Sequence, residues 1–449
     1  MIWLLSGCSC SDPVPPVVVE DPGDRGPETV IVVIACTLRA DRMGVYGNPR
    51  DTTPYLDSLA ESGAVFENML TNAPWTRPSI GSISTGRYPL ALGIDDPAPK
   101  MNTTRGVHAD FETIAEALQA DGWTTVGAVA NPNANAVFGM AQGFDTYHEA
   151  AKLWREEHSK VPGTAIVESF LDIASGVEGP LYGQLVVIDT HRPLPVQARR
   201  PTEFGIDVML DPTDLDKYDA ALKMVDDLVA ELDQGLAELG REDRVLFFVG
   251  DHGEGINRPK WAGRAHGRYL YDANVRTPWI AHGPGIAGGN RVTGLAENVD
   301  LKPTLLEMFD VPSVATLDGD SRAGVLREGL SETGETAVFT ETYFSSDHRG
   351  RWTTEDWTLI ANYAAVAYKG AEDRGRFELY AHDDAKQADN LYADNGELAQ
   401  GMSQDMEALR ARLLEEQLVW SGEELSGAMQ QALEALGYVE GGDGAPRDE

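Results

Sequence analysis

Cysteine and basic side chains are scarce in this chain of 449 residues. Its three cysteines, Cys8, Cys10 and Cys36, are too few for a disulfide framework. Lysine and arginine together number 36, against 72 aspartate and glutamate residues, so the formal net charge is −36. This balance argues against binding nucleic acid and against attachment to an anionic membrane through a basic patch. To bind an anionic substrate, this protein would need a local concentration of positive charge, such as a metal ion or a cluster of arginine and histidine side chains.

Long apolar runs are also missing. No stretch approaches the roughly 20 apolar residues that a transmembrane helix needs. The hydrophobic fraction of 42% is nevertheless sufficient for a large core. The length allows one large α/β domain with a smaller one, or three modest domains.

The first 28 residues resemble the end of a lipoprotein signal sequence followed by a flexible tether. Leu5-Ser6-Gly7-Cys8 resembles the lipobox of bacterial lipoproteins, in which the cysteine is lipid-modified after cleavage. The residues that follow, up to Glu28, are rich in proline, glycine and acidic side chains, which is typical of a flexible linker. Met1–Leu5 is shorter than a signal peptide and carries no basic side chain, so either the start is truncated or the match is chance. We expect a protein of the bacterial periplasm or cell surface that is attached to the membrane only through a lipid on Cys8.

Apolar strand-like runs alternate with helical patterns between residues 29 and 336. Val30–Ala35 and Val245–Val249 are continuous apolar runs, which suit strands buried on both faces of a parallel sheet. Leu215–Leu239 has the periodicity of a long amphipathic helix. This alternation predicts an α/β domain around a mainly parallel sheet.

The pattern changes after about Ala337. Short strand-like pieces are followed by a helical pattern from Glu397 to Glu416. They predict a smaller α+β subdomain over residues 337–440. Residues 441–449 form an acidic, glycine-containing tail.

Polar residues of ligand type follow three of the predicted strands. They are Cys36-Thr37, Asp189-Thr190-His191 and Asp251-His252. Because ligands bind beyond the carboxyl ends of the strands in open α/β sheets, we expect these residues to share one site. Asp251 and His252 can reach the same cation if the turn is tight, although a simple Gly-Asp turn would have the same sequence.

Two histidines are candidates for contact with a substrate. His191 could hydrogen-bond a substrate oxygen or protonate a leaving group. His266 lies between Arg264 and Arg268 in a loop of small residues that could neutralise an oxyanion. Either histidine alone is more often structural.

The segment Ala73–Pro89 contains a hydroxyl residue, Thr76, in a proline-bounded loop. The small residues from Ser79 to Gly86 predict a buried helix directly after it. A helix N-terminus attracts anions, because its free N–H groups and its dipole point the same way. Thr76 could therefore attack a sulfate or phosphate ester, or it could only cap the helix.

Taken together and in this order, these motifs resemble the sulfatase family of the alkaline phosphatase superfamily over roughly Thr29 to Glu440. Each motif is weak by itself, but the ordered set is specific. The matching segments are Thr37-Leu38-Arg39-Ala40-Asp41, Thr53–Ala60, the Thr76 segment, Asp189–Pro193, Asp251–Glu254, His266–Tyr271, Arg276-Thr277-Pro278, Val299–Leu306, Glu378-Leu379-Tyr380, Asp389-Asn390-Leu391 and Ala435–Val439.

The resemblance implies a three-layer α/β/α sandwich around a mainly parallel mixed sheet, with a smaller C-terminal α+β subdomain. It also implies a divalent cation, usually calcium, beside a nucleophile that attacks sulfur or phosphorus. On this basis Thr76, His191 and His266 are catalytic candidates. The substrate-binding candidates are Arg77 and Arg268, and the metal-ligand candidates are Asp251, His252 and Cys36.

Three departures from the family pattern bear on the chemistry. Thr76 stands where sulfatases carry the cysteine or serine that becomes formylglycine, so no formylglycine is expected. Superfamily members that resemble lipoteichoic acid synthases use an unmodified threonine. Ile80 replaces the arginine of the motif, and Cys36 replaces an aspartate ligand. A thiolate suits zinc, and also permits manganese, but it suits calcium poorly. Cys36 therefore either shifts the metal preference or is only a small buried apolar side chain, which would leave an incomplete site held by Asp251 and His252.

The sequence is therefore consistent with two alternative functions. The first is a metal-dependent hydrolase of sulfate or phosphate esters, acting on a small-molecule or glycan ester. The second is a pseudoenzyme that keeps the fold as a surface-tethered protein that binds anions or glycans. The sequence predicts no nucleic-acid partner and does not determine the oligomeric state.

Overall fold

The computed structural model describes residues 27–94, 103–149, 161–195, 197–208, 211–256, 266–344, 347–364 and 375–436. Cys8, most of the predicted tether and the acidic tail lie outside these ranges. In the described part of the chain, no helix has both the length and the apolar composition to cross a membrane.

An eight-stranded sheet forms the centre of the molecule. Strand β1 (Thr29–Ala35) has seven buried residues and lies between two parallel neighbours, as its apolar sequence predicts. The strands in spatial order are β4 (Thr146–Glu149), β3 (Thr124–Val129), β5 (Leu181–Val187), β1, β6 (Arg244–Gly250), β7 (Trp279–His282), β2 (Ala64–Leu70) and β8 (Asn290–Glu297).

The sheet is mixed because β7 runs antiparallel to both of its neighbours, β6 and β2. All the other pairs are parallel. The mainly parallel mixed sheet is therefore confirmed. β7, with only four residues, was not predicted, because so short a run carries little periodicity.

Helices in two groups complete the three-layer sandwich. One group packs around a long helix, α6, which begins with a capping box between Thr213 and Asp216 and buries an apolar stripe. It consists of α1 (Pro54–Ser62), α5 (Gly163–Ala174) and α6 (Asp214–Glu238). The other group consists of α2 (Thr76–Thr85), α4 (Ile114–Ala120) and α8 (Leu301–Met308), and the remaining short helices are α3 (Pro89–Leu92), α7 (Asp272–Val275) and α9 (Ala323–Glu328).

A second, antiparallel sheet follows toward the C-terminus. Its strands, in spatial order, are β12 (Phe377–Ala381), β11 (Trp357–Ala364), β10 (Asp347–Thr354) and β9 (Ala337–Phe344). Helix α10 (Gly396–Glu416) packs on β10 and β11, and α11 (Gly427–Ala435) follows it. This matches the predicted strand-and-helix content, whereas the exact domain limits stay a prediction.

Strand β10 was missed in the sequence because it is strongly polar. Two of its arginines, Arg349 and Arg351, are nevertheless buried. Arg351 forms an ion pair with Asp272 at 2.8 Å, and Arg349 pairs with Asp347 at 3.0 Å. Ion pairing of buried charges is invisible to a hydrophobicity pattern.

Close packing of α5 on the sheet gives a test of the core. Phe170 is fully buried, and a β-carbon at Gly183 of β5 would lie only 2.4 Å from its ring. We expect Phe170→Ala to lower the free energy of unfolding by about 3–5 kcal/mol, because it leaves a cavity. Denaturant unfolding would measure this. Val314→Ala, at a fully exposed side chain, serves as the control and should change stability by less than about 0.5 kcal/mol. A small effect at Phe170 would contradict the packing.

Candidate active site

The candidate metal ligands meet where β1 and β6 end side by side. Ala35 pairs with Gly250, so the next residues, Cys36 and Asp251, are neighbours. Cys36 Sγ lies 2.9 Å from Asp251 Oδ2, and that oxygen lies 3.5 Å from Nε2 of His252. The three side chains are fully buried, and their ligand atoms lie within 4.8 Å of one another. The geometry therefore allows one cation to be shared.

Thr76 is the first residue of α2 and faces this cluster. Its Oγ1 lies 3.4 Å from Cys36 Sγ and 3.2 Å from His252 Nε2. The predicted helix start at Ser79 is wrong by one turn, and Trp75 occupies the N-cap position with no side-chain cap bond. The alternative interpretation of Thr76 as the cap is therefore also wrong.

Backbone and side-chain donors fix the orientation of Asp251. Its Oδ1 accepts hydrogen bonds from the backbone N–H groups of Thr37 at 3.0 Å and of His252 at 2.6 Å. Its carbonyl accepts a bond from Ser79 Oγ of α2 at 2.6 Å. Asn298 Nδ2 donates to the same serine oxygen at 2.8 Å. The carboxylate oxygen Oδ2 is thereby directed at Cys36.

The turn after Cys36 is strained. Thr37 has a φ of 56°, in the left-handed region that a β-branched residue rarely adopts. Tyr218 holds it in place, because its hydroxyl donates to the Thr37 carbonyl at 2.6 Å. The hydroxyls of Thr37 and Thr190 both donate to the Cys36 carbonyl, at 2.6 and 2.5 Å. Strain held in this way is typical of a functional site.

Burial controls the protonation of the cluster. It raises the pKa of the Cys36 thiol well above its usual value, and the negative charge of Asp251 adds to the effect. Burial likewise lowers the pKa of His252, which favours the neutral imidazole. Nδ1 of His252 donates to the Gly253 carbonyl at 2.9 Å, so the lone pair of Nε2 faces Thr76. A bound cation would favour the thiolate over the thiol.

The structure brings His191 and His266 to the same place. The His266 ring centre lies 4.7 Å from that of His252 and 4.9 Å from that of His191. Nδ1 of His266 donates to Glu254 Oε2 at 3.1 Å. Burial alone would raise the pKa of Glu254, but the facing His266 lowers it below its usual value. The Glu254 carboxylate therefore accepts from His266 and fixes the orientation of its ring.

The loop that carries His266 is attached on two sides. The backbone N–H of Gly267 donates to the Pro74 carbonyl at 2.8 Å, just before α2. The Gly267 carbonyl accepts a bond from Thr342 of β9 at 2.6 Å. Gly267 has a φ of 88°, and a β-carbon there would lie 2.6 Å from the Phe344 ring, so a glycine is required.

The two candidate arginines have protein partners. Arg77 is buried and donates to Asn133 Oδ1 from Nε and Nη2 at 3.2 and 3.0 Å. Arg268 forms an ion pair with Asp347 at 2.6 Å. Their assignment as substrate contacts stays a prediction.

Asn131 belongs to the cluster but was missed in the sequence. It follows β3, is fully buried, and donates to Cys36 Sγ at 2.9 Å and to Thr76 Oγ1 at 3.3 Å. Its signal was present, because it is a polar residue directly after a predicted strand. Glu254 was likewise noted only as part of a motif.

Comparison with known proteins identifies the class of this fold and site. The architecture is that of the alkaline phosphatase-like ester hydrolases. The phosphonate monoester hydrolase of Agrobacterium radiobacter superposes with a TM-score of 0.68 at 17% identity, covering 86% of this chain and 96% of that one. A protein solved with its substrate D-glucosamine-2-N,6-O-disulfate gives a TM-score of 0.67 at 17% identity, covering 87% and 98%. At this identity the likeness shows the fold.

The family model described as Sulfatase matches residues 28–311, so the chain belongs to the sulfatase family. A second model, the C-terminal region of N-sulphoglucosamine sulphohydrolase, matches residues 263–413. Arylsulfatase A of Bos taurus is 24% identical over 370 residues, which cover 72% of each chain. An ulvan-active sulfatase of Formosa agariphila is 24% identical over 329 residues, covering 64% of this chain and 54% of the relative. The protein is an ester hydrolase of a family that generally binds a divalent cation.

Ser79 gives a test of how the site is held together. Its hydroxyl joins α2 to the Asp251 carbonyl and accepts from Asn298, all in a buried environment. We expect Ser79→Ala to lower the free energy of unfolding by about 1–3 kcal/mol, because buried polar groups lose a partner. Thermal and denaturant unfolding would measure it. Ser58→Ala, at an exposed serine of α1, should be nearly neutral, and equal effects in the two variants would refute the argument.

Proposed function

We propose that this protein is a metal-dependent hydrolase of sulfate or phosphate esters in which Thr76 is the direct nucleophile. The observation that carries the proposal is the position of Thr76 Oγ1, 3.2 Å from His252 Nε2 and 3.4 Å from Cys36 Sγ. The hydroxyl stands at the N-terminus of α2, where the helix dipole favours an incoming anion. An unmodified hydroxyl next to a cation is an adequate nucleophile.

The cation would be held by Cys36, Asp251 and His252. Calcium prefers six to eight oxygen ligands, whereas this set offers one sulfur, one nitrogen and a carboxylate. Catalytic zinc sites use three protein ligands of this kind and keep one position open. We therefore propose zinc, or manganese, in place of the calcium usual in the family. When bound, such an ion would supply stabilisation of negative charge on the nucleophile and on the transferred group.

In the first step, Thr76 Oγ forms a bond to sulfur or phosphorus while the bond to the ester oxygen breaks. The departing oxygen takes a proton from His266 or His191, and the proton that Thr76 loses passes to that histidine, so that protons balance over the step. Glu254 accepts from His266 Nδ1 at 3.1 Å and orients that histidine. In the second step, water attacks the group on Thr76, and free sulfate or phosphate leaves as the hydroxyl is restored.

The altered motif is consistent with a nucleophile that needs no modification. Ile80 takes the place of the motif's arginine and is fully buried in the main core. It therefore contributes apolar packing of α2 and no charge to the site.

The substrate class is proposed from the relatives. Their names include an arylsulfatase, an ulvan-active sulfatase and a phosphonate monoester hydrolase. We propose a small-molecule or glycan ester as substrate, hydrolysed by a catalytic domain over residues 29–336 with a subdomain over 337–440. Export to the periplasm or cell surface with a lipid on Cys8 remains part of the proposal, supported by the lipobox-like sequence and the acidic composition.

Removing the nucleophile tests the mechanism. We expect Thr76→Ala to reduce turnover of aryl sulfate, phosphate monoester or phosphate diester substrates by at least about 10³-fold, because the covalent intermediate is proposed to form on Thr76 Oγ1. Thr76→Ser should keep part of the activity. The control is Thr293→Ala, at an exposed threonine of β8, which should behave as the unaltered protein does. Turnover that does not depend on Thr76 would overturn the proposal and favour the anion- or glycan-binding alternative.

Replacing the Cys36 thiol tests which metal ion the site prefers. The unaltered protein should purify with close to one equivalent of zinc or manganese and prefer it to calcium, because Cys36 supplies a soft ligand. Cys36→Asp should invert this preference in metal analysis and competition titrations. Cys36→Ser, which removes the sulfur without adding a charge, should weaken binding of both kinds of ion. A protein that already prefers calcium would contradict the assignment.

A further inference from the structure

The amide of Asn131 has a defined orientation. Its Oδ1 accepts a hydrogen bond from the backbone N–H of Asn133 at 2.9 Å, which fixes which end is oxygen and which is nitrogen. The amino group therefore faces the site. There it donates to Cys36 Sγ at 2.9 Å and to Thr76 Oγ1 at 3.3 Å, one contact for each of its two hydrogens.

These contacts determine which atom donates and which accepts in the hydrogen bond between Asn131 and Thr76. An asparagine Nδ2 can only donate, so Thr76 Oγ1 is the acceptor in that bond. His252 Nε2 lies 3.2 Å from the same oxygen. Thr76 is thus placed between a donor on one side and a metal-ligand candidate on the other.

We propose that Asn131 is a further catalytic residue, whose amide donates to the nucleophilic oxygen of Thr76 and to the sulfur of Cys36 and so stabilises negative charge on both atoms. This rests on the function proposed above. Both partners gain negative charge in the reactive state, as alkoxide and thiolate, whereas the amide is neutral and already in place. A donor fixed in a buried site needs no rearrangement when the charge develops.

The competing explanation for Asn131 is purely structural. It is the N-cap of the short turn Pro132–Ala134, and the bond from Asn133 is its cap bond. Aspartate caps as well as asparagine does, but a carboxylate cannot donate to oxygen or sulfur. Asn131→Asp therefore separates the two roles, and Asn131→Ala removes both.

We expect Asn131→Asp to lower kcat by about 10²-fold, the usual loss for one donor to a developing anion, with KM changed far less. Its unfolding midpoint should stay close to that of the unaltered protein. Asn131→Ala should weaken zinc binding by about 10–100-fold in a competition titration, a readout independent of turnover, because the ligand sulfur loses its donor. Asn290→Asp removes another buried amide donor, bonded to the Val325 carbonyl, and should leave kcat unchanged.

The outcomes separate the two proposals. If turnover depends on Thr76 but Asn131→Asp keeps kcat within about threefold, the role of Asn131 is refuted and the proposed function stands. Unchanged zinc affinity in Asn131→Ala would refute the contact with the ligand sulfur. If turnover does not depend on Thr76, the proposed function fails, and the role of Asn131 fails with it.

Discussion

The parallel pairing of β1 with β6 is the constraint on which the rest of the site depends. Because Ala35 and Gly250 are partners, Cys36 and Asp251 leave the sheet together, and their side chains meet at 2.9 Å. Both strands are buried on both faces, so this register is set by the whole core rather than by the site itself. The active-site geometry is therefore a product of the sheet.

Much of the fold could be predicted from the sequence, because its central strands and α6 have strong periodicity. The elements that were missed include β7, which is short, and β10, which buries Arg349 and Arg351 through ion pairs. The start of α2 was misplaced because Trp75 offers no capping side chain. Contacts made across the sheet, such as the one from Asn131 to Cys36, depend on strand order, which a linear pattern does not contain.

The departures from the family pattern form one consistent set of changes. In the proposed function, a thiol in place of an aspartate makes the proposed metal-ligand set softer, and the unmodified hydroxyl of Thr76 takes the place of formylglycine. Ile80 adds to the core where a charged side chain would have served a modified nucleophile. The buried neighbours, with Asn131 and Glu254 among them, supply directed donors and charges around these altered atoms. The scaffold is thus conserved in shape while the chemistry of its reactive atoms differs.

The attachment of Gly267 has a consequence for how the protein can be divided. One hydrogen bond joins this residue to Pro74 beside α2, and another joins it to Thr342 in the small sheet. The residue next to His266 is thereby hydrogen-bonded both to the segment before α2 and to the small sheet. A chain that ended before β9 would lose the bond from Thr342, and with it one of the two attachments that hold the backbone next to His266.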